Sequence, residues 1–401
     1  MSIADHAPWI ARKFNKLGRP GPGVNFRRVV CVILLTGPAI AVLQACGRPI
    51  RPAPIDPGAR HAWPTVLGNV QRSGFIDELP PDEVEEAWRA EVGRGLVTPL
   101  LVDDDVVIAS SGNRLIATLS TETGDQYWER RLDGALTGGA IRRGAVVYVP
   151  AEGREGRLHA LELRKGGRQW SQDLGSIQFP PSLVGDTLYV GTESGELVAV
   201  STDQGSVLWR VRLSGAAAAT PVPWRESILL PTRADTLFLV NRGTGMVDRK
   251  LALPGRVSAA PALAGDTLYV PLFTGDLLAL RLPDLEELWR GPFDEPILAA
   301  PIVAPDRSVY LLTRNADVWR VPPGGRAGEK LASLGGAARG SLTLAGDRLL
   351  VGRLDGALFQ LRTDGTTVWR YDLEDSIVAP VTVRDGAIYV PLLRGTIVKL
   401  R

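Results

Sequence analysis

One stretch recurs through the chain and constrains its fold more than anything else in the sequence. From Pro180 to Leu213 it reads PPSLVGDTLYVGTESGELVAVSTDQGSVLWRVRL. Three apolar runs, Leu183 to Val190, Leu197 to Val200 and Val207 to Leu213, alternate with the period of two expected of strands. Gly-Asp, Ser-Gly and Asp-Gln-Gly separate them, and these residues tolerate the positive φ of tight turns. With a short strand beginning near Pro180, the stretch predicts one four-stranded antiparallel unit.

A second copy starts at Ala260, where Ala264-Gly265-Asp266-Thr267-Leu268-Tyr269-Val270 nearly repeats the run Val184 to Val190. Weaker copies begin near Thr98, Gly138, Ala219, Ala299, Ala338 and Val378, giving eight starts. Trp88, Trp128, Trp170, Trp209, Trp289 and Trp369 keep the beat at spacings of 40, 42, 39, 80 and 80 residues, with vacant slots at Arg249 and near Glu329. A period of about 40 with four strands per unit is the signature of a β-propeller. The array opens on an outer strand, Trp88 to Val92, and ends at Leu400-Arg401 before a fourth strand. The expectation is therefore an all-β, eight-bladed propeller of four-stranded antiparallel blades, closed by the N-terminal strand so that no edge is left unpaired.

Composition agrees with many short strands and turns: 44 Gly, 30 Pro and 45% hydrophobic residues. A net charge of +2 lacks the clustered basic excess of a nucleic-acid binder. Both cysteines, Cys31 and Cys46, lie near the N-terminus. The apolar run Val29 to Ala45 follows Arg27-Arg28, is interrupted by Gly37-Pro38, and has the layout of an export signal. The expected organisation is an export signal over 1–45, a Pro-rich linker over 46–62 acting as a semi-rigid spacer, and the propeller over 63–401. Residues 1–23 sit awkwardly ahead of that signal; a translation start at Val24 would leave them untranslated.

The segment Leu43-Gln44-Ala45-Cys46-Gly47 resembles the bacterial lipobox, which implies acylation (palmitate) at Cys46 and, with Gly47 following, transfer to the outer membrane. Trp63-Pro64, Gly68-Asn69 and Arg72-Ser73-Gly74 resemble the lead-in of pyrroloquinoline-quinone-type propellers. From there to Arg401 the chain is similar to that quinoprotein-like repeat superfamily, and most closely to its outer-membrane barrel-assembly lipoprotein branch, BamB. The resemblance implies a non-catalytic scaffold at the periplasmic face of the outer membrane. It would be a lipid-anchored monomeric propeller within a complex, with barrel-assembly proteins as partners. Where that family carries Leu-Arg-Gly in its partner-binding segment, this chain has Leu213-Ser214-Gly215, so the arginine is missing and the partner stays open.

Candidate chemistry fits structural roles. The tryptophans recur blade by blade, as wedges between blades would, whereas a stacked quinone needs one. Asp186, Asp266, Asp347, Asp105 and Asp385 sit in strand-connecting turns, and His159 lies within an apolar strand. No cysteine pair, G-x-S-x-G elbow, H-E-x-x-H helix or P-loop occurs, so no enzyme, cofactor or metal site is expected. The expected binding surface is one rim. Arg233, Arg314, Arg353 and Arg394 sit in loops between second and third strands, with Arg154 and Arg157 nearby and Leu272, Phe273, Leu354, Leu392 and Leu393 beside them. Arg is favoured at such interfaces. A quinone-dependent dehydrogenase and an envelope ligand-binding or sensing propeller remain as alternatives.

Overall fold

The computed structural model describes residues 75–401 apart from Asp104, Glu155 and Asp294. The export signal, Cys46, the Pro-rich linker and the Trp63 to Gly74 stretch lie outside the described residues. Eight separate sheets follow one another, their inner strands beginning at Leu101, Ile141, Ser182, Val222, Ala262, Ile302, Leu342 and Thr382. These define blades 1 to 8.

Blade 3 shows why the sequence folds this way. Its second and third strands, Thr187–Gly191 and Glu196–Ser201, are buried on both faces because neighbouring blades cover them, so they read as nearly unbroken apolar runs. Its outer strand, Val207–Arg212, alternates half-buried and exposed residues. Glycines with positive φ, Gly185, Gly195 and Gly205, occupy the three turns. The core lies between blades rather than inside them. Ile141, Tyr148 and Leu158 of blade 2 pack with Leu188, Val190 and Val198 of blade 3.

The tryptophan slot joins each blade to the next. Trp88, Trp128, Trp170 and Trp209 donate their ring N–H to the carbonyls of Thr121, Leu163, Thr202 and Arg242 in the following blade, at 3.1, 2.8, 2.9 and 3.0 Å. Each ring also lies on a glycine. A Cβ on Gly124, Gly166 or Gly245 would come within 2.8, 2.6 or 2.7 Å of it. One vacant slot is Arg249, as expected, and it pairs with Asp284 of blade 5 at 3.2 Å. The other is Lys330, opposite Trp319.

Two features of the expected architecture need correction. Hydrogen bonding closes no sheet. The N-terminal strand Glu86–Glu91 pairs antiparallel with Thr396–Leu400, yet the resulting blade 8 still ends in two edges, Glu86–Glu91 outside and Thr382–Arg384 inside. No strand ladder passes from one blade to another among the described residues. Blades 8 and 1 meet instead by apolar packing of Trp88, Tyr389 and Ile397 on Leu100, Val102 and Val107, with Thr382 Oγ1 donating to Leu100 O at 2.8 Å. The physical reason is that blades stack face to face, a geometry that offers side chains rather than backbone edges to the neighbour.

The second correction concerns strand number. Blade 7 has five strands, because Phe75–Ile76 adds in parallel to its inner strand Leu342–Ala345. The polypeptide then crosses from this inner edge to the outer strand of blade 8. On the way Glu78 bonds Arg384 and the Asp385 N–H, Pro81 O accepts from Trp369 at 3.2 Å, and Asp82 pairs with Arg348. Pro81 thus stands where other blades offer a turn carbonyl.

Candidate functional site

The turns between second and third strands share one face with the segments linking consecutive blades, and the two are bonded in every blade. The N–H of Gly112, Glu152, Glu193, Arg233, Phe273, Arg314, Leu354 and Leu393 donates in turn to Gly95, Ala135, Ser176, Ala216, Arg256, Pro296, Ala337 and Ser376, over 2.7 to 3.0 Å. These backbone bonds leave the side chains at eight equivalent positions to vary. Local rigidity with side-chain variety suits recognition more than chemistry.

Of the candidate residues, Arg233, Phe273, Arg314 and Leu393 occupy this equivalent position. Arg353 stands one residue earlier and Arg394 one later, and the shift changes what they can do. The Arg353 side chain, only 13% exposed, is held by Asp355 and by Leu334 O at 2.8 Å. Burial pushes the Asp355 carboxyl up, but bonds from Arg353 and the Ala357 N–H outweigh that and hold it low. Arg233 bonds Gln178 and pairs with Glu193 at 3.2 Å, while Arg314 pairs with Glu295 at 2.6 Å. Arg394 differs: its side chain is 83% exposed and its Nε lies 3.7 Å from Asp375.

Acidic groups at the rim escaped the sequence reading. Burial raises the Glu152 carboxyl, the neighbouring Glu193 raises it further, and Arg233 partly offsets both. Among the apolar candidates Phe273 is 46% exposed, with the Arg256 guanidinium 5.5 Å from its ring centre, and Leu354 is exposed. Leu272 and Leu392 are buried beneath the rim. Arg154 is exposed, and Arg157 pairs with Asp133 at 3.7 Å.

On the opposite face the turn aspartates are tied to arginines: Asp186 to Arg143, Asp266 to Arg225, Asp347 to Arg348 and Asp385 to Arg384. They are spread around the ring, and no group of three or more metal-ligating side chains gathers among the described residues.

A family model described as "Outer membrane protein assembly factor BamB" matches residues 74–176, 154–302 and 305–400. The chain belongs to this family. Members bearing that description include one from Burkholderia pseudomallei, 26% identical and covering 78% of this chain and 86% of its own length. Another, from Shewanella oneidensis, is 24% identical over 79% of this chain and 91% of its own. The crystal structure of BamB from Moraxella catarrhalis superposes with a TM-score of 0.66 at 19% identity, covering 80% of this chain and 98% of that one. Quinohemoprotein alcohol dehydrogenase from Comamonas testosteroni reaches 0.70 at 13% identity, with 84% and 80% covered. At these identities the structural likeness speaks for the eight-bladed fold alone.

Proposed function

We propose that the protein is a non-catalytic scaffold of outer-membrane protein assembly, working at the periplasmic face of the outer membrane. The match to the BamB family across nearly all of the described residues carries this reading. Partners would dock on the rim of second-to-third-strand turns, where Arg233, Arg314, Arg394, Phe273 and Leu393 offer side chains. A partner strand could also add to an outer blade edge. Acylation at Cys46 would tether the ring to the membrane. The test is affinity purification of the full-length protein from native membranes, with identification of what comes along. Recovery of outer-membrane assembly proteins is expected; their absence, with the protein itself membrane-bound and folded, would refute the proposal.

A further inference from the structure

The outer wall of the ring is polarised. Over the outer strands of blades 2, 3 and 4 and the turns leading into them, residues 162–173, 201–213 and 241–252, eight Lys and Arg stand against four Asp and Glu. Across the circle from blade 4, residues 82–91 of blade 8 carry five Asp and Glu and one Arg. Elsewhere on the wall arginines are cancelled by a carboxylate of their own blade, as Arg281 is by Glu286, Arg290 by Glu287 and Arg370 by Asp372. On the basic side Arg164, Lys165, Arg168, Arg212 and Lys250 are exposed, and their side chains make no ion pair or hydrogen bond among the described residues.

Apolar side chains stand among these cations. Of the seven large hydrophobic residues exposed among the described residues, Leu208, Met246 and Val247 lie on this wall. They flank one seam. Trp209, beside Leu208, lies on Gly245, beside Met246, where an added Cβ would come within 2.7 Å of the ring. The fold does not ask for Met246, which is 68% exposed. The turn bond that its carbonyl accepts from the Asn241 N–H is accepted in blades 1, 2, 3, 7 and 8 by Asp125, Gly167, Ser206, Thr366 and Glu85. An apolar cluster left in water at a site where sibling blades are polar or bare marks a surface that something covers.

The pattern fits a bilayer. Protruding apolar side chains enter the boundary between headgroups and acyl chains, while Lys and Arg around them meet lipid phosphates. The wall is the convex side of a closed ring, and a soft lipid surface can receive it without a matching concavity.

We infer that the outer wall of blades 2 to 4 rests on an anionic phospholipid bilayer, with Leu208, Met246 and Val247 at the acyl boundary and the unpaired cations on the headgroup phosphates. The inference rests on the membrane-tethered reading above and adds an orientation to it. A tether over 47–74, at up to about 3.5 Å per residue, fixes none by itself. With blade 4 down and acidic blade 8 up, the ring axis lies along the membrane. The rim of second-to-third-strand turns then faces sideways, towards proteins seated in the same membrane.

The test uses the full chain purified from membranes, returned to vesicles and recovered by flotation. A fluorophore is attached at Thr244→Cys, beside Met246, or at its counterpart on blade 8, Glu83→Cys, and the lipids carry a quencher on their acyl chains. In phosphatidylcholine vesicles containing phosphatidylglycerol, quenching at 244 is expected to exceed that at 83 at least about threefold, and to fall as salt rises or when phosphatidylglycerol is left out. R212E/K250E and Met246→Asp should each cut quenching at 244 at least about twofold, while Arg370→Glu should leave it unchanged. Equal quenching at the two positions, no dependence on phosphatidylglycerol, protein that floats with neither kind of vesicle, or an unaffected R212E/K250E protein would overturn the inference. So would an R212E/K250E protein that keeps its lipid quenching but loses a copurifying assembly protein, which would give the wall to an acidic protein surface. Equal quenching at 244 and 83 with assembly proteins still copurifying sinks the wall contact alone. The expected contrast with no assembly protein copurifying sinks the scaffold proposal alone.

Discussion

Replacing His159 with Val should make the protein more stable, and increasingly so as pH falls. His159 lies in the third strand of blade 2, directly across from Val149, and is fully buried. Neither ring nitrogen has a hydrogen-bond partner. Leu161, on the same strand face, packs in a cluster with Ile116, Leu132 and Val149. In blades 3 and 8 the equivalent residue is Val198 or Val398, so the site accepts valine elsewhere in the same fold. Burial lowers the imidazole to about 4 from 6.5; Asp133 works slightly against this, while Arg168, Arg157 and Arg130 add to it.

The sign follows from linkage. The unfolded protein takes up a proton near pH 6.5 and the folded protein resists until about 4, so stability is intact above 6.5 and is lost as pH falls between these values. At about 1.4 kcal/mol per pH unit, roughly 2.5 kcal/mol has gone by about pH 4.5. The neutral ring adds an unsatisfied-group penalty of about 1–3 kcal/mol at any pH. Urea unfolding followed by tryptophan fluorescence at pH 8, 6 and 4.5 measures both, and comparison with the variant subtracts the carboxylates common to the two proteins. If wild type and His159→Val lose the same stability from pH 8 to 4.5, the argument that this ring is buried and unpaired is wrong.

Further outcomes concern the joints between blades. Trp209→Ala should cost at least about 2 kcal/mol in urea unfolding, less than the roughly 3–5 kcal/mol of a fully buried aromatic because the ring is half-buried. Arg249→Trp should destabilise the fold, because Leu285, at φ 59°, occupies the turn where other blades place the glycine under the ring. Adding Leu285→Gly should recover at least about 1 kcal/mol in a double-mutant cycle, and strict additivity would refute the coupling. Glu78→Ala should cost about 1–3 kcal/mol, since its carboxylate serves both Arg384 and the Asp385 N–H in a largely buried setting. No change in unfolding midpoint would show that the N-terminal crossing is not secured there.

The repeat was legible because one large residue recurs at a fixed slot and each third strand is apolar on both faces. Arg249 could be placed by counting. Lys330 was missed by one position because the blade 6 hairpin runs through Pro322 to Gly328, longer than its counterparts. The fifth strand of blade 7 spans only Phe75–Ile76 and pairs in parallel, so it has no periodicity to betray it. At the rim, sequence position located Arg233 and Arg394 but could not tell them apart. The partner that neutralises Arg233, Glu193, lies 40 residues away and is brought near by the blade stacking alone.

The interblade joints are not of equal make. From blade 8 round through blades 1, 2 and 3 to blade 4, four successive seams use the same ring-on-glycine fastening. Between blades 4 and 5 that slot holds a solvent-exposed Arg249–Asp284 pair, of a kind that contributes at most about 1 kcal/mol, and Trp224 and Arg225 reach across to Asp266 instead. A circle of modules that each grip only their neighbours parts first at its weakest link. Thermal breathing, proteolytic nicking or mechanical load should therefore open this ring first in the arc from blade 4 to blade 7, where the slots hold Arg249 and Lys330, and last in the arc from blade 8 to blade 4.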